Sequence, residues 1–200
     1  GLFKGVISNG TFLNEKNAER LVKAGLDFLT ISVDGTEETH NYIRGSEYSF
    51  KKTMEAISNV IRFRNNNQLP IITINMTMSD YNYKQLSDMA KIADAVGVDI
   101  LQFQHQWFTE DHVAKAHTAY TKEKFGIESH YADGFRNYVT GKIDSEKFVE
   151  EIRRVKNESH RVDVRFYPDL EEKDVRPYYE KSTNVVYNDA CGNPWWSMII

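Results

Sequence analysis

The sequence predicts an α/β fold built on a parallel sheet, and three observations converge on it. Over the first hundred residues, short alternating apolar runs are interleaved with longer segments of helical period. Each run sorts into one apolar and one polar row, which suits a sheet covered by helices on one face and open on the other. After Phe108 the rhythm is lost, and a mixed polar and helical C-terminal extension follows. Two hundred residues with 40% hydrophobic and 27% charged content can bury an ordinary globular core.

The first strand is predicted at Lys4–Ser8. In the helix after it, Asn14 offers an N-capping oxygen, Ala18, Leu21 and Val22 share one face, and Gly25 suits the left-handed position past its end. A second strand spans Asp27–Val33, and the polar stretch from Asp34-Gly35 to Arg44 is expected as a loop. The next helix runs from Ser49 to Arg64 on the stripe Phe50, Met54, Ile57 and Ile61, until Asn65-Asn66-Asn67 ends it and Pro70 prevents resumption. A third strand is Ile71–Met78. After Ser79-Asp80 comes a helix with Leu86, Met89, Ala93 and Val96 inward and Gly97 as its stop, then a fourth strand at Asp99–Gln104.

Residues 1–108 are thus expected to form central βα units. Residues 109–184 form an irregular excursion with helical stretches near Tyr131–Val139 and Ser145–Val155, a strand at Val162–Tyr167 and a charged helix near Asp169–Lys181. Residues 185–200, closing on Trp195-Trp196-Ser197-Met198-Ile199-Ile200, open a truncated C-terminal domain. Because Val6–Gly10 starts a βα unit with nothing before it, the polypeptide is expected to be a fragment.

Composition narrows the function classes. A net charge of −4 without a basic stripe argues against nucleic acid, whose binding rests on Lys and Arg neutralising phosphates. No apolar run approaches the ~20 residues of a spanning helix, and the first residues lack a signal-peptide layout, so no membrane partner and a cytoplasmic location are expected. Cys191 is the only cysteine, which excludes an internal disulfide and any metal site built from several thiolates of this chain.

The strand rows locate the candidate chemistry. Leu29, Ile31 and Val33 oppose Thr30, Ser32 and Asp34; Ile72, Ile74 and Met76 oppose Thr73, Asn75 and Thr77; Leu101 and Phe103 oppose Gln102 and Gln104; Ile7 opposes Ser8. A polar inner face implies an open or partial barrel holding a polar ligand, the alternative being a half-solvated sheet. Ligands in such folds sit at the carboxyl ends of strands, where Ser8-Asn9-Gly10, Asp34 to Arg44, and Thr77–Asp80 fall. Arg44 can grip a carboxylate or phosphate bidentately with help from Ser32, or pair with Asp34 or Glu38 as loop scaffolding. His105 is the best of the six histidines for a substrate contact or proton shuttle, the alternative being a hydrogen-bonded supporting group. His112 and His117 are badly spaced for one helical face.

Ile7–Leu13, Ile31–Gly35 with His40 and Arg44-Gly45, Ile74–Met78 and Leu101–His105 together resemble the third to sixth βα units of a radical S-adenosylmethionine (SAM) enzyme. The pattern is most similar to the SPASM/twitch subgroup, which includes anaerobic sulfatase-maturating enzymes. It covers roughly residues 3–108 and, more weakly, the last ten. The resemblance implies a partial (β/α)6 TIM-type barrel, a [4Fe-4S] cluster on a CxxxCxxC loop, and SAM cleaved reductively to a 5′-deoxyadenosyl radical that abstracts hydrogen from a small-molecule or peptide substrate.

It also implies that Ser32 and Arg44, spaced as the family spaces them (44 − 32 = 12), hold the SAM carboxylate, with Asp34 and Gln104 nearby. Ser8, Asn75 and His105 are expected to face substrate. Cys191, followed by Pro194-Trp195, resembles the first ligand of an auxiliary cluster. CxxxCxxC and the second-strand Gly-Gly-Glu are both absent, so the chain alone is expected to assemble no cluster and be inactive. A complete small α/β enzyme acting on a phosphorylated or sugar-like substrate, and a non-catalytic ligand- or partner-binding domain, are the alternatives.

Overall fold

Asn14 does cap the first helix, its side chain accepting from the Asn17 N–H at 3.0 Å, and the βα rhythm continues from there in a computed structural model that describes residues 2–64, 68–107, 109–131, 133 and 143–180. The elements are β1 (Gly5–Ser8), α1 (Glu15–Lys23), β2 (Phe28–Ser32), α2 (Glu37–Arg44), α3 (Ser49–Phe63), β3 (Ile71–Met78), α4 (Leu86–Val96), β4 (Ile100–His105), α5 (Asp111–Phe125), α6 (Ser145–Asn157), β5 (Asp163–Tyr167) and α7 (Glu172–Glu180). The five strands form one sheet in the order β1-β2-β3-β4-β5, every neighbouring pair parallel.

One face of the sheet is the core. Leu29, Ile31, Ile72, Ile74, Met76, Leu101 and Phe103 are buried there against Ala18 of α1, Ala56, Ile57 and Val60 of α3, Met89, Ala90 and Ala93 of α4, and Phe148, Ile152 and Val155 of α6. Full burial of each large aliphatic or aromatic side chain stabilises by about 1.5–3 kcal/mol, so this layer dominates the fold.

Aspartates pin the strand starts. Asp27 Oδ2 accepts from the Lys4 N–H at 2.8 Å, Asp99 Oδ2 from the Ile72 N–H at 2.7 Å, and Asp94 Oδ1 from the N–H groups of Arg161 and Val162 at 2.9 and 2.8 Å. Arg64 also pairs with Asp99. At the other end of α4, Glu151 reaches across from α6, its Oε2 accepting from the Ser87 N–H at 3.4 Å while Arg154 holds Oε1 at 2.8 Å. A carboxylate on the first turn of α4 complements that helix's dipole.

Three expectations need correction. Residues 37–44 are a helix, not a loop; it is short, and only His40 is buried on it, so no apolar stripe announces it. The helix α5 falls in the stretch expected to be irregular; Ala114 is its only buried residue, so local propensity rather than core contact makes it. In β1 the faces are reversed: Ser8 is in register with Ile31 and Ile7 with Thr30, which leaves Ile7 79% exposed on the polar side and Ser8 on the helix-covered side. The helical stretch at Tyr131–Val139 lies almost wholly outside the described residues, as do Cys191 and the apolar terminus.

Candidate functional site

At the carboxyl end of β2 the chain turns sharply into α2. Gly35 has φ +145°, and a Cβ there would sit 2.6 Å from Gln85 Oε1, so both backbone conformation and space call for glycine. Gln85 uses that oxygen to accept from the Thr36 N–H at 3.1 Å and gives its own N–H to Thr39 Oγ1 at 2.7 Å. The turn is thereby fixed to the loop before α4.

Asp34 ends the strand nearly buried, with Arg44 Nε 2.6 Å from its Oδ2; the Arg44 side chain, in the last turn of α2, stays 34% exposed. Gly45, in the left-handed conformation, stops the helix there. The Asp34 N–H donates to His40 Nδ1 at 3.0 Å, and His40 Nε2 lies 2.9 Å from Ser49 Oγ. Acceptance at Nδ1 places the imidazole proton on Nε2, towards Ser49. Burial lowers the His40 pKa, an effect that Asp34 opposes and Arg44 reinforces, so the ring is a neutral strut.

Asn82 completes the support. Its Nδ2 donates to the carbonyls of Asp34 and Thr77 at 2.8 and 2.9 Å, and its Oδ1 accepts from the Ser79 N–H at 2.7 Å. With its amide fully used, Asn82 ties the end of β2 to the end of β3. Around these groups lies a cleft of about 430 Å³, with Asp34, Thr77, Ser79 and Asn82 on its polar side and Tyr42, Ile43 and Tyr81 at its rim. The Tyr42 and Tyr81 rings stand 5.6 Å apart at 48°.

The open face of the sheet runs up to this cleft. Ser32 is in register with Asn75, Asn75 with Gln102, and Thr77 with Gln104, so Ser32, Asn75 and Gln104 share one face. Gln102 Nε2 donates to Asn75 Oδ1 at 2.9 Å.

Two residues expected to face substrate do not. Ser8 lies on the covered side, and its Oγ accepts from the Gly10 N–H at 3.0 Å to close the turn after β1. His105 is in register with Met78 and only 1% exposed, its Nδ1 2.8 Å from Tyr179 Oη and its ring beside Phe148 and Tyr178. Alternation from Leu101 through Phe103 already assigned position 105 to the covered row. Cys191 lies outside the described residues. Among the described residues, no group of three or more His, Cys, Asp or Glu side chains could hold a metal ion, and no helix is long and apolar enough to cross a membrane.

The sequence reading missed Asn82 and Gln85 as well as the Tyr42–Tyr81 rim. For Asn82 a signal existed, since Ser79-x-x-Asn82 after a strand is a pattern that closes on its own backbone.

The chain is similar to known proteins in part of its sequence and in its fold. Residues 1–93 match the Radical SAM superfamily. The tungsten-containing aldehyde ferredoxin oxidoreductase cofactor-modifying protein of Pyrococcus furiosus is 26% identical over 103 residues, 50% of this chain and 29% of that protein. The sporulation killing factor maturation protein SkfB of Bacillus subtilis is 30% identical over 97 residues, 48% of this chain and 22% of that protein. The AdoMet-dependent heme synthase of Methanosarcina barkeri is 33% identical over 98 residues, 48% of this chain and 27% of that protein. The matches therefore span less than a third of these relatives' length. The solved structure of hexahistidine-tagged anSMEcpe with bound AdoMet aligns with a TM-score of 0.52 at 17% identity, covering 81% of this chain and 40% of that one, and so shares the fold. Residues 1–93 therefore resemble a radical SAM domain in sequence, and the parallel α/β architecture is the fold of the AdoMet-bound structure.

Proposed function

We propose that the open face binds SAM, with the methionyl carboxylate at Ser32 and Arg44, in a radical SAM oxidoreductase acting on a small-molecule or peptide substrate further along the same face. The match of residues 1–93 to the Radical SAM superfamily supports SAM-dependent radical chemistry. The observation that carries the residue assignment is the pairing of Arg44 with Asp34, a residue that lines the cleft. A guanidinium has five N–H donors, more than one carboxylate can take, so Asp34 on Nε positions the fork while its exposed part remains able to receive a second anion. Asp34 and Arg44 would hold the amino-acid end of SAM, and Gln104 and the polar row would line the space beyond. SAM held there would, once given an electron by a reductant outside these residues, supply the hydrogen-abstracting radical chemistry of the superfamily that residues 1–93 match.

The cluster that reduces SAM does not fit these residues. A [4Fe-4S] centre takes three or four thiolates, and the sequence holds one cysteine, so these 200 residues by themselves cannot ligate it. Reductive SAM chemistry calls for a reducing compartment, which in this reading is the cytoplasm.

Calorimetric titration with SAM tests the assignment. Arg44→Lys keeps the charge but loses the fork, so SAM affinity should fall by about 1–3 kcal/mol, with the melting temperature little changed. Unchanged affinity would leave Arg44 as the scaffold partner of Asp34 alone.

A further inference from the structure

On the open face, neighbouring strands place residues side by side in layers, and one layer is polar throughout. Ser32, Asn75, Gln102 and Arg165 stand in register on β2, β3, β4 and β5. The layer below is interrupted by Ile7 and Ile100, which flank Thr30 and Thr73. With strands about 4.8 Å apart, three steps separate Ser32 from Arg165 by about 14 Å. Arg165 therefore cannot share a carboxylate with Ser32.

Within the layer the polar atoms are oriented. Because Gln102 Nε2 donates to Asn75 Oδ1, the pair keeps the Asn75 Nδ2 donors and the Gln102 Oε1 acceptor for another partner. Arg165 is 56% exposed, and its Nε and Nη2 both bond Asp163 Oδ2, at 2.8 and 2.5 Å. One edge of the fork is thus held from the same face two residues earlier. Among the described residues Nη1 has no partner.

We infer that Arg165 and the Asn75–Gln102 amide pair form an anion subsite, separate from the SAM carboxylate position, that takes the carboxylate of a substrate carrying an adjacent amide. The guanidinium edge left by Asp163 receives the carboxylate in charge-assisted hydrogen bonds. The amide pair offers one donor and one acceptor, the complement of a peptide group. Asp163 cancels one positive charge locally, so a monoanion suits the site better than a phosphate dianion. The inference rests on the open face being the ligand face and names the substrate class for it.

The test follows the Asn75 and Gln102 side-chain amides and the Arg165 Nε by ¹⁵N NMR during titration with N-acetylglycine, its neutral amide N-acetylglycinamide, and inorganic phosphate. N-acetylglycine should give saturable shifts at these three groups, with the other two probes weaker by about tenfold or more. Arg165→Gln and Arg165→Lys should lose the response to a similar extent, while SAM binding to both variants stays as in the parent chain. An equal response to the neutral amide, full affinity in Arg165→Gln, or no saturable response below about 10 mM would overturn the subsite. If SAM fails to bind while N-acetylglycine still does, the SAM assignment falls and the carboxylate subsite stands.

Discussion

Burial among Phe148, Tyr178 and Tyr179 gives His105 a chemistry unlike that of a solvated imidazole: desolvation pushes its pKa down to about 3, against a smaller raising effect of Asp169 and with a lowering one from Lys156. In the unfolded chain the same ring titrates near 6.5. Between those values the unfolded state binds a proton that the folded state refuses, so stability is complete above pH 6.5 and falls as pH drops towards 3. At pH 5 the loss is about 2 kcal/mol. Denaturant titrations at pH 7 and pH 5 should therefore show a smaller pH-dependent loss in His105→Gln than in the parent chain. His40 contributes in the same direction but is present in both, so the difference isolates His105. Equal losses would mean that the buried ring takes up its proton without penalty.

The turn between β2 and α2 is where a single methyl group has most to disturb. Gly35→Ala must either leave a φ of +145° or displace Gln85, whose amide joins Thr36 and Thr39 to the loop before α4. The expected cost is about 1–3 kcal/mol, read as a lower denaturant midpoint at constant slope; an unshifted midpoint would show that the turn relaxes freely. At this scale the sequence was most legible where packing writes a period into it. Strands β2, β3 and β4 fall within a residue or two of their expected ends because each alternates against a helix-covered core. Helices α2 and α5 escaped because they bury almost nothing, His40 in one and Ala114 in the other, and a periodicity argument detects only helices that face a core. Asn82 escaped for another reason: one of its partners, the Asp34 carbonyl, is 48 residues earlier in the chain, and no local pattern encodes that. Ser8 was misplaced because a four-residue strand leaves its phase undetermined.

As a whole the molecule is one-sided, with helices over one face of the sheet and polar side chains over the other. Its cohesion is uneven in the same sense. The layer around β2, β3 and β4 holds the fully buried side chains, whereas α5 stands mostly in solvent. Limited proteolysis should accordingly cut first between residues 109 and 131, since opening there exposes little apolar surface; first cleavage inside 28–105 would contradict the picture. The polar face and its strand-end turns were readable from alternation alone. The pairing of Arg44 with Asp34 was one of two open choices, and only the fold of α2 decides it.

Glu151 has a consequence for how this fold tolerates change. Together with the Asp144 N–H, which donates to Tyr83 Oη at 3.4 Å, it brings α6 back onto the first turn of α4. At Gln106, where the excursion leaves β4, the backbone carbonyl accepts from the Tyr178 hydroxyl at 2.7 Å. Both ends of the stretch from 107 to 143 are thus moored by residues that do not belong to it. Loop-closure entropy grows only slowly with length, so the stretch behaves as a cassette: its size and composition can drift, or be exchanged for another sequence, while the sheet and the ligand face keep their places.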